Sequence, residues 1–249
     1  MPHPTDRAVR AAKPKDRFLP RLLWLCVGAM ACSALPPSLI RLTWLGYPLI
    51  CLQLMAGLSD HPGWSSAWTK RVYQAMGIGS IGALIAWVFH PRSLLITGLP
   101  LLGLFLVFIG WSLVRLLRRL ARDAPSEGDL LAGGLAGYLL LGIHGGLLLT
   151  VIDSLVPGSF RDTATGALVQ LPPLGSALAA TSAWDVNVHR IVYFAFVSLT
   201  TVGYGDIAPI EPLARLASVA LSVLGPFYIA VVLGVVVSRW INEGMPPQR

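Results

Sequence analysis

Runs of apolar residues long enough to cross a membrane constrain this chain more than any other feature. A spanning helix needs about 20 mainly apolar residues, each rising about 1.5 Å. Six segments meet or approach that length: 22–39, 42–58, 73–89, 94–116, 130–152 and 212–240. The first is the weakest, because Pro36 and Pro37 cut it short. A further run at 186–200 is too short to span. Of the 249 residues, 55% are hydrophobic and 12% charged. A soluble domain carries about 25% charged residues, so polar surface is too scarce here for a globule in water. The expected fold is an all-α integral membrane protein with six transmembrane helices, which argues against a soluble enzyme.

Charge placement sets the expected orientation. The 19 Lys+Arg against 12 Asp+Glu would suggest nucleic acid if they formed a patch on a polar domain. Instead the basic residues lie at the ends of apolar runs. Fourteen fall in 1–21, 59–72, 115–129 and the tail after 238; five (Arg41, Arg92, Arg161, Arg190 and Arg215) fall on the other side. The positive-inside rule then makes both termini cytoplasmic, which requires an even number of spans. The expected organisation is a basic cytoplasmic arm at 1–21, a four-helix sensor-like membrane domain at 22–116, a cytoplasmic linker at 117–129, a pore domain at 130–241 and a short cytoplasmic tail at 242–249. Residues 153–185 read as a long outer segment rich in Pro, Gly, Ser and Thr. Cys26, Cys32 and Cys51 lie in apolar stretches without metal-ligand spacing and read as reduced, buried residues.

Residues 198–206 read Ser-Leu-Thr-Thr-Val-Gly-Tyr-Gly-Asp, which resembles the potassium-channel signature. A potassium ion in a narrow pore must exchange its water shell for backbone carbonyls aimed at one axis. That needs alternating backbone conformations, some with positive φ, which Gly203 and Gly205 tolerate because they lack Cβ. Potassium is thus expected at the carbonyls of Thr201, Val202, Gly203 and Tyr204, with Gly205 completing the filter. Thr201 adds a hydroxyl at the inner end. Val202 and Tyr204 are expected to pack against the surrounding helix, and Asp206 to draw cations to the outer mouth. The run at 186–200 reads as a re-entrant pore helix capped by Asp185, its negative dipole end favouring a cation.

The resemblance extends over 188–241, which is similar to the pore of simple two-helix bacterial potassium channels. It implies that Arg190 and Arg215 match basic residues of that pore, and that Tyr193 and Phe194 replace an aromatic pair around the filter. Val197 stands where that pore has a glutamate paired with the filter aspartate. Tyr193, Phe194, Val197 and Thr200 are the expected filter supports. Gly225 falls at the family's inner-helix hinge, with Pro226 expected to bend the helix. By the same match Pro226, Ile229, Leu233 and Val237 line the cavity and its gate.

Six spans with the pore in the last two resemble the voltage-gated channel superfamily. A voltage sensor needs arginines within the fourth helix and acidic partners in the first three. Residues 93–114 carry no charge, and Arg115, Arg118, Arg119 and Arg122 follow at the cytoplasmic end. They read as positive-inside anchors on an interfacial helix at 111–121, or as contacts for anionic lipid. His144, deep in the fifth helix, reads either as a proton sensor or as a neutral residue hydrogen-bonded to a neighbouring helix. Gly133 and Gly137 permit close helix packing. The tryptophans, Trp111 among them, read mostly as interfacial anchors. No Walker loop, zinc spacing or nucleophile elbow occurs. The expected function is passive, potassium-selective conduction through a homotetramer in a bacterial inner membrane. It is weakly voltage-dependent, without enzyme activity or cofactor. The alternatives are a non-conducting scaffold or regulatory subunit, and a cation transporter, although transporters of the related type carry four pore repeats per chain.

Overall fold

The computed structural model describes residues 17–32, 43–59, 66–89, 98–123, 127–169 and 182–244. Seven helices and two short strands follow in chain order: α1 Phe18–Cys32, α2 Thr43–Leu58, α3 Ala67–Phe89, α4 Gly98–Asp123, α5 Glu127–Leu155, β1 Phe160–Asp162, α6 Ser182–Leu199, β2 Ile207–Pro209 and α7 Pro212–Gly244. The fold is therefore mostly helical.

Several boundaries differ from expectation for local reasons. Helix α1 starts at Phe18, inside the expected basic arm, and holds Pro20 in its first turn, where the missing N–H has no intrahelical partner to lose. Helix α3 starts at Ala67 because the Ser66 hydroxyl caps it, accepting the Trp68 N–H at 3.3 Å. Of the linker expected at 117–129, residues 117–123 and 127–129 are helical. Leu113, Leu116 and Leu120 are buried at helical spacing, so 111–121 continues α4 into the bundle instead of lying at an interface. Pro125 then stops it.

The helices pack in two groups that share α5. Helices α1 to α4 pack in sequence order, with α2 also touching α4. Both α1 and α4 pack against α5, which also carries α6 and α7. Three residues separate α4 from α5 in sequence, and the front bundle rests on α5 of its own chain. Small residues on α5 make this closeness possible. A Cβ on Gly133 would meet Leu120 and Leu19, and one on Gly137 would meet the Tyr228 hydroxyl. The expected close packing at these two glycines is thus realised. His144 lays its ring against Gly110 of α4. Its Nδ1 is buried without a hydrogen-bond partner, unlike the expected bond to a neighbouring helix.

Arg115 and Arg119 turn into the bundle. Arg115 is 2% exposed, stacks 3.9 Å from the Tyr73 ring centroid and donates to the Leu58 carbonyl at 3.2 Å. Arg119 donates to the Gly57 carbonyl at 2.6 Å. These carbonyls end α2, where a helix leaves acceptors open and its dipole is negative. Trp111, expected as an anchor, packs edge-on to Tyr73 at 5.8 Å.

Among the described residues, two helices are long and apolar enough to cross a membrane, Gly128–Leu155 and Pro212–Val232. Helices α1 and α2 have shorter apolar stretches, Phe18–Ala31 and Leu45–Leu58.

Candidate functional site

The filter-like motif leaves the C-terminal end of α6. That end offers open carbonyls, and the loop fills them. The Thr200 N–H donates to Phe196 O at 2.9 Å and the Thr201 N–H to Ser198 O at 3.0 Å. The N–H groups of Val202 and Gly203 both reach Val197 O, at 3.2 and 3.4 Å. The Thr200 hydroxyl donates back to Phe196 O at 2.7 Å. Helix α6 itself starts at Ser182, so Asp185, expected as its cap, lies inside it.

Beyond this anchor the loop alternates. Thr201, Gly203 and Gly205 have φ of +58°, +58° and +75°. Left-handed residues at every second position are the alternation that a row of carbonyls facing one axis requires. Glycine adopts it freely, whereas a β-branched residue is strained there by about 1–3 kcal/mol. The sequence points to Gly203 and Gly205 but not to Thr201. Val202 and Tyr204 are 51% and 72% exposed, so the chain itself covers them only in part. Helix α6 lies behind the start of the loop, and residues 201–205 are exposed.

The expected supports divide into different roles. Val197 is buried and acts through its backbone carbonyl. Phe194 is buried against Phe160 of β1, with ring centroids 5.4 Å apart, so it braces the outer segment. Tyr193 sits beside the Asp206 carboxylate. Asp206 Oδ1 is buried without a hydrogen-bond partner.

The outer segment carries a structured turn. Strand β1 pairs antiparallel with β2, matching Phe160 with Pro209 and Asp162 with Ile207. On its other side Arg161 bridges Leu168. Between them Asp162 Oδ1 accepts the N–H groups of Ala164 at 3.0 Å and Thr165 at 2.9 Å, and Gly166 takes φ +70°. The turn chemistry of Asp-Thr-Ala-Thr-Gly at 162–166 was a legible signal for it. Asp162 also forms an ion pair with Arg190 of α6. The Thr165 N–H, then the Arg190 guanidinium, hold its carboxyl below the usual carboxylate range. The Thr163 N–H donates to Asp206 O at 2.9 Å. Its hydroxyl lies 2.6 Å from Gly205 O and 3.2 Å from Asp206 O.

Helix α7 runs unbroken through Pro226. Gly225 is the point of closest approach, where a Cβ would run into the carbonyl oxygen of Leu199. The same oxygen accepts the Tyr138 hydroxyl at 3.2 Å. Pro226 and Ile229 are exposed on α7. The side chains of Leu233 and Val237 lie outside the described residues.

Residues 165–242 match a family model described as an ion channel. No curated protein and no solved structure matches the chain. The matched region spans the motif, its preceding helix and α7, and the two membrane-capable helices flank it or lie within it. The C-terminal part of the chain is thus similar to an ion-channel domain.

Proposed function

We propose that the protein is a potassium-selective channel that conducts passively as a homotetramer. The observation that carries this reading is the 201–205 loop, a Thr-Val-Gly-Tyr-Gly run with left-handed backbone at alternate residues and all five residues exposed. One loop supplies one carbonyl per level, whereas a dehydrated potassium ion needs a ring. Four copies about a four-fold axis close that ring and cover Val202 and Tyr204. Helix α7 supports the same assembly. It docks through one stripe, Ala214, Ser218, Leu221, Gly225 and Tyr228, and leaves its other faces open. Most of Pro212–Val232 is left unburied by the chain itself. Potassium is the cargo, and no cofactor or catalytic chemistry enters. In this reading α1 to α5 and α7 are the six spans, α6 is re-entrant, and both termini are cytoplasmic in a bacterial inner membrane. Arg118 and Arg122, exposed at the end of α4, are the arginines placed to meet anionic lipid.

The test is purified protein in liposomes under a potassium or a sodium gradient, with native mass spectrometry of the same sample. Flux under the potassium gradient alone, from a four-chain particle, is the expected result. A well-folded protein with no flux would establish the scaffold alternative, and a conducting monomer or dimer would refute the ring.

Weak voltage dependence follows from the front bundle. Moving one charge through 100 mV yields about 2.3 kcal/mol, and steep gating needs several per subunit. Helix α4 has no charged residue from 98 to 114, and Arg115 and Arg119 are tied to the end of α2. Replacing both by glutamine should cost about 1.5–3 kcal/mol per lost charged hydrogen bond, read as lower thermal stability. The conductance–voltage curve should stay shallow. A steep wild-type curve that flattens in the double variant would restore a voltage sensor.

A further inference from the structure

We propose that Thr163 is a positioning residue for the outer end of the filter, locked in place by the Asp162–Arg190 ion pair. The inference rests on the channel reading for its functional consequence, but its geometry is independent of it. The two halves of the loop are anchored differently. Among the described residues, backbone hydrogen bonds to α6 hold 201–203 through Ser198 O and Val197 O. Thr163 holds the carbonyls of Gly205 and Asp206 through one amide and one hydroxyl. Glycine at 205 has no side chain by which the loop could anchor itself, and its φ of +75° leaves the peptide free to turn. Val197 is apolar and cannot hold Asp206 from the pore helix with a carboxyl group. Tyr193 lies beside the Asp206 carboxylate, and the outer segment holds the backbone carbonyl.

Thr163 is itself well fixed. Strand β1 ends at the residue before it, paired to β2 immediately after the filter. Asp162 binds the turn through Oδ1 and α6 through Arg190. The clasp thus connects the pore helix, the outer turn and the last filter carbonyls in one hydrogen-bonded circuit. A carbonyl oxygen has two lone pairs, so Gly205 O can accept from Thr163 and still face a cation. Selectivity depends on where those oxygens sit, and supporting contacts decide such positions.

The experiment compares wild type, Thr163→Val and Thr163→Ser by hydrogen exchange on the full-length protein in potassium, and by single-channel recording. Valine keeps the β-branch and removes the hydroxyl. Losing one such bond corresponds to roughly fivefold. Thr163→Val should therefore exchange about fivefold faster at 203–207 alone. Its currents should decay faster in low external potassium and pass more sodium, with serine restoring all three. Unchanged exchange and currents in Thr163→Val would overturn the proposal. So would faster exchange spread over α5 and α7, which marks a general loss of stability. If Thr163→Val does not assemble, Asp162→Asn probes the same circuit. Local exchange at 203–207 supports the clasp, and no change overturns it. A wild type without potassium current, but with the exchange contrast intact, refutes the channel reading and leaves the clasp standing.

Discussion

Gly203→Ala protein should carry no measurable potassium current while still forming the wild-type assembly. An added Cβ at Gly203 meets nothing within 4 Å, so the effect is conformational and not a clash within the chain. At φ +58° a non-glycine L-residue pays about 1–2 kcal/mol. Thr201 already bears such a strain two residues earlier, so the loop has little left to absorb another. In a four-fold pore the substitution occurs four times on one ion path, for a total of about 4–8 kcal/mol. That is ample to turn the 203 peptide away from the axis and to cut flux at least about a hundredfold, since about 1.4 kcal/mol is a factor of ten. Potassium flux into liposomes, normalised to assembled protein, is the measurement. Wild-type flux and selectivity in Gly203→Ala would mean that ions pass elsewhere.

Gly225→Ala should fail at an earlier stage, in the packing of α7 on α6. The resemblance places a hinge at Gly225, but the geometry gives it a second demand. The new Cβ would run into the Leu199 carbonyl oxygen, which is backbone and cannot swing aside. Relieving it means moving α7 or the end of the pore helix, and overpacking of this kind costs about 1–3 kcal/mol per site. The shift would also disturb the Tyr138 bond to Leu199 O and the Tyr228 bond to Gly134 O. Expected results are a lower unfolding temperature, loss of the assembled form in detergent, and a comparable defect in Gly225→Ser. A glycine needed only for bending predicts a different outcome, in which Gly225→Ala assembles with wild-type stability and changes only open probability.

The sequence by itself determined the helical class and the filter-like motif. Apolar length and charge scarcity select helices, and Thr-Val-Gly-Tyr-Gly behind a short apolar run marks the loop. Helix ends were less legible, because capping by Ser66 and the burial of Leu116 and Leu120 depend on neighbours. The roles of the arginines were hidden for the same reason. In sequence Arg115 and Arg119 are two of four basic residues at a helix end; in the fold they close the carbonyls of α2, more than fifty positions away. Gly225 looked like a hinge, and only the approach of α7 to Leu199 makes it a contact. The outer clasp was likewise decided by tertiary structure. A turn can be read from Asp162, Thr165 and Gly166, since local hydrogen bonds make it. That it lands on Gly205, 42 residues from Thr163, depends on β1 finding β2, and no local pattern encodes that pairing.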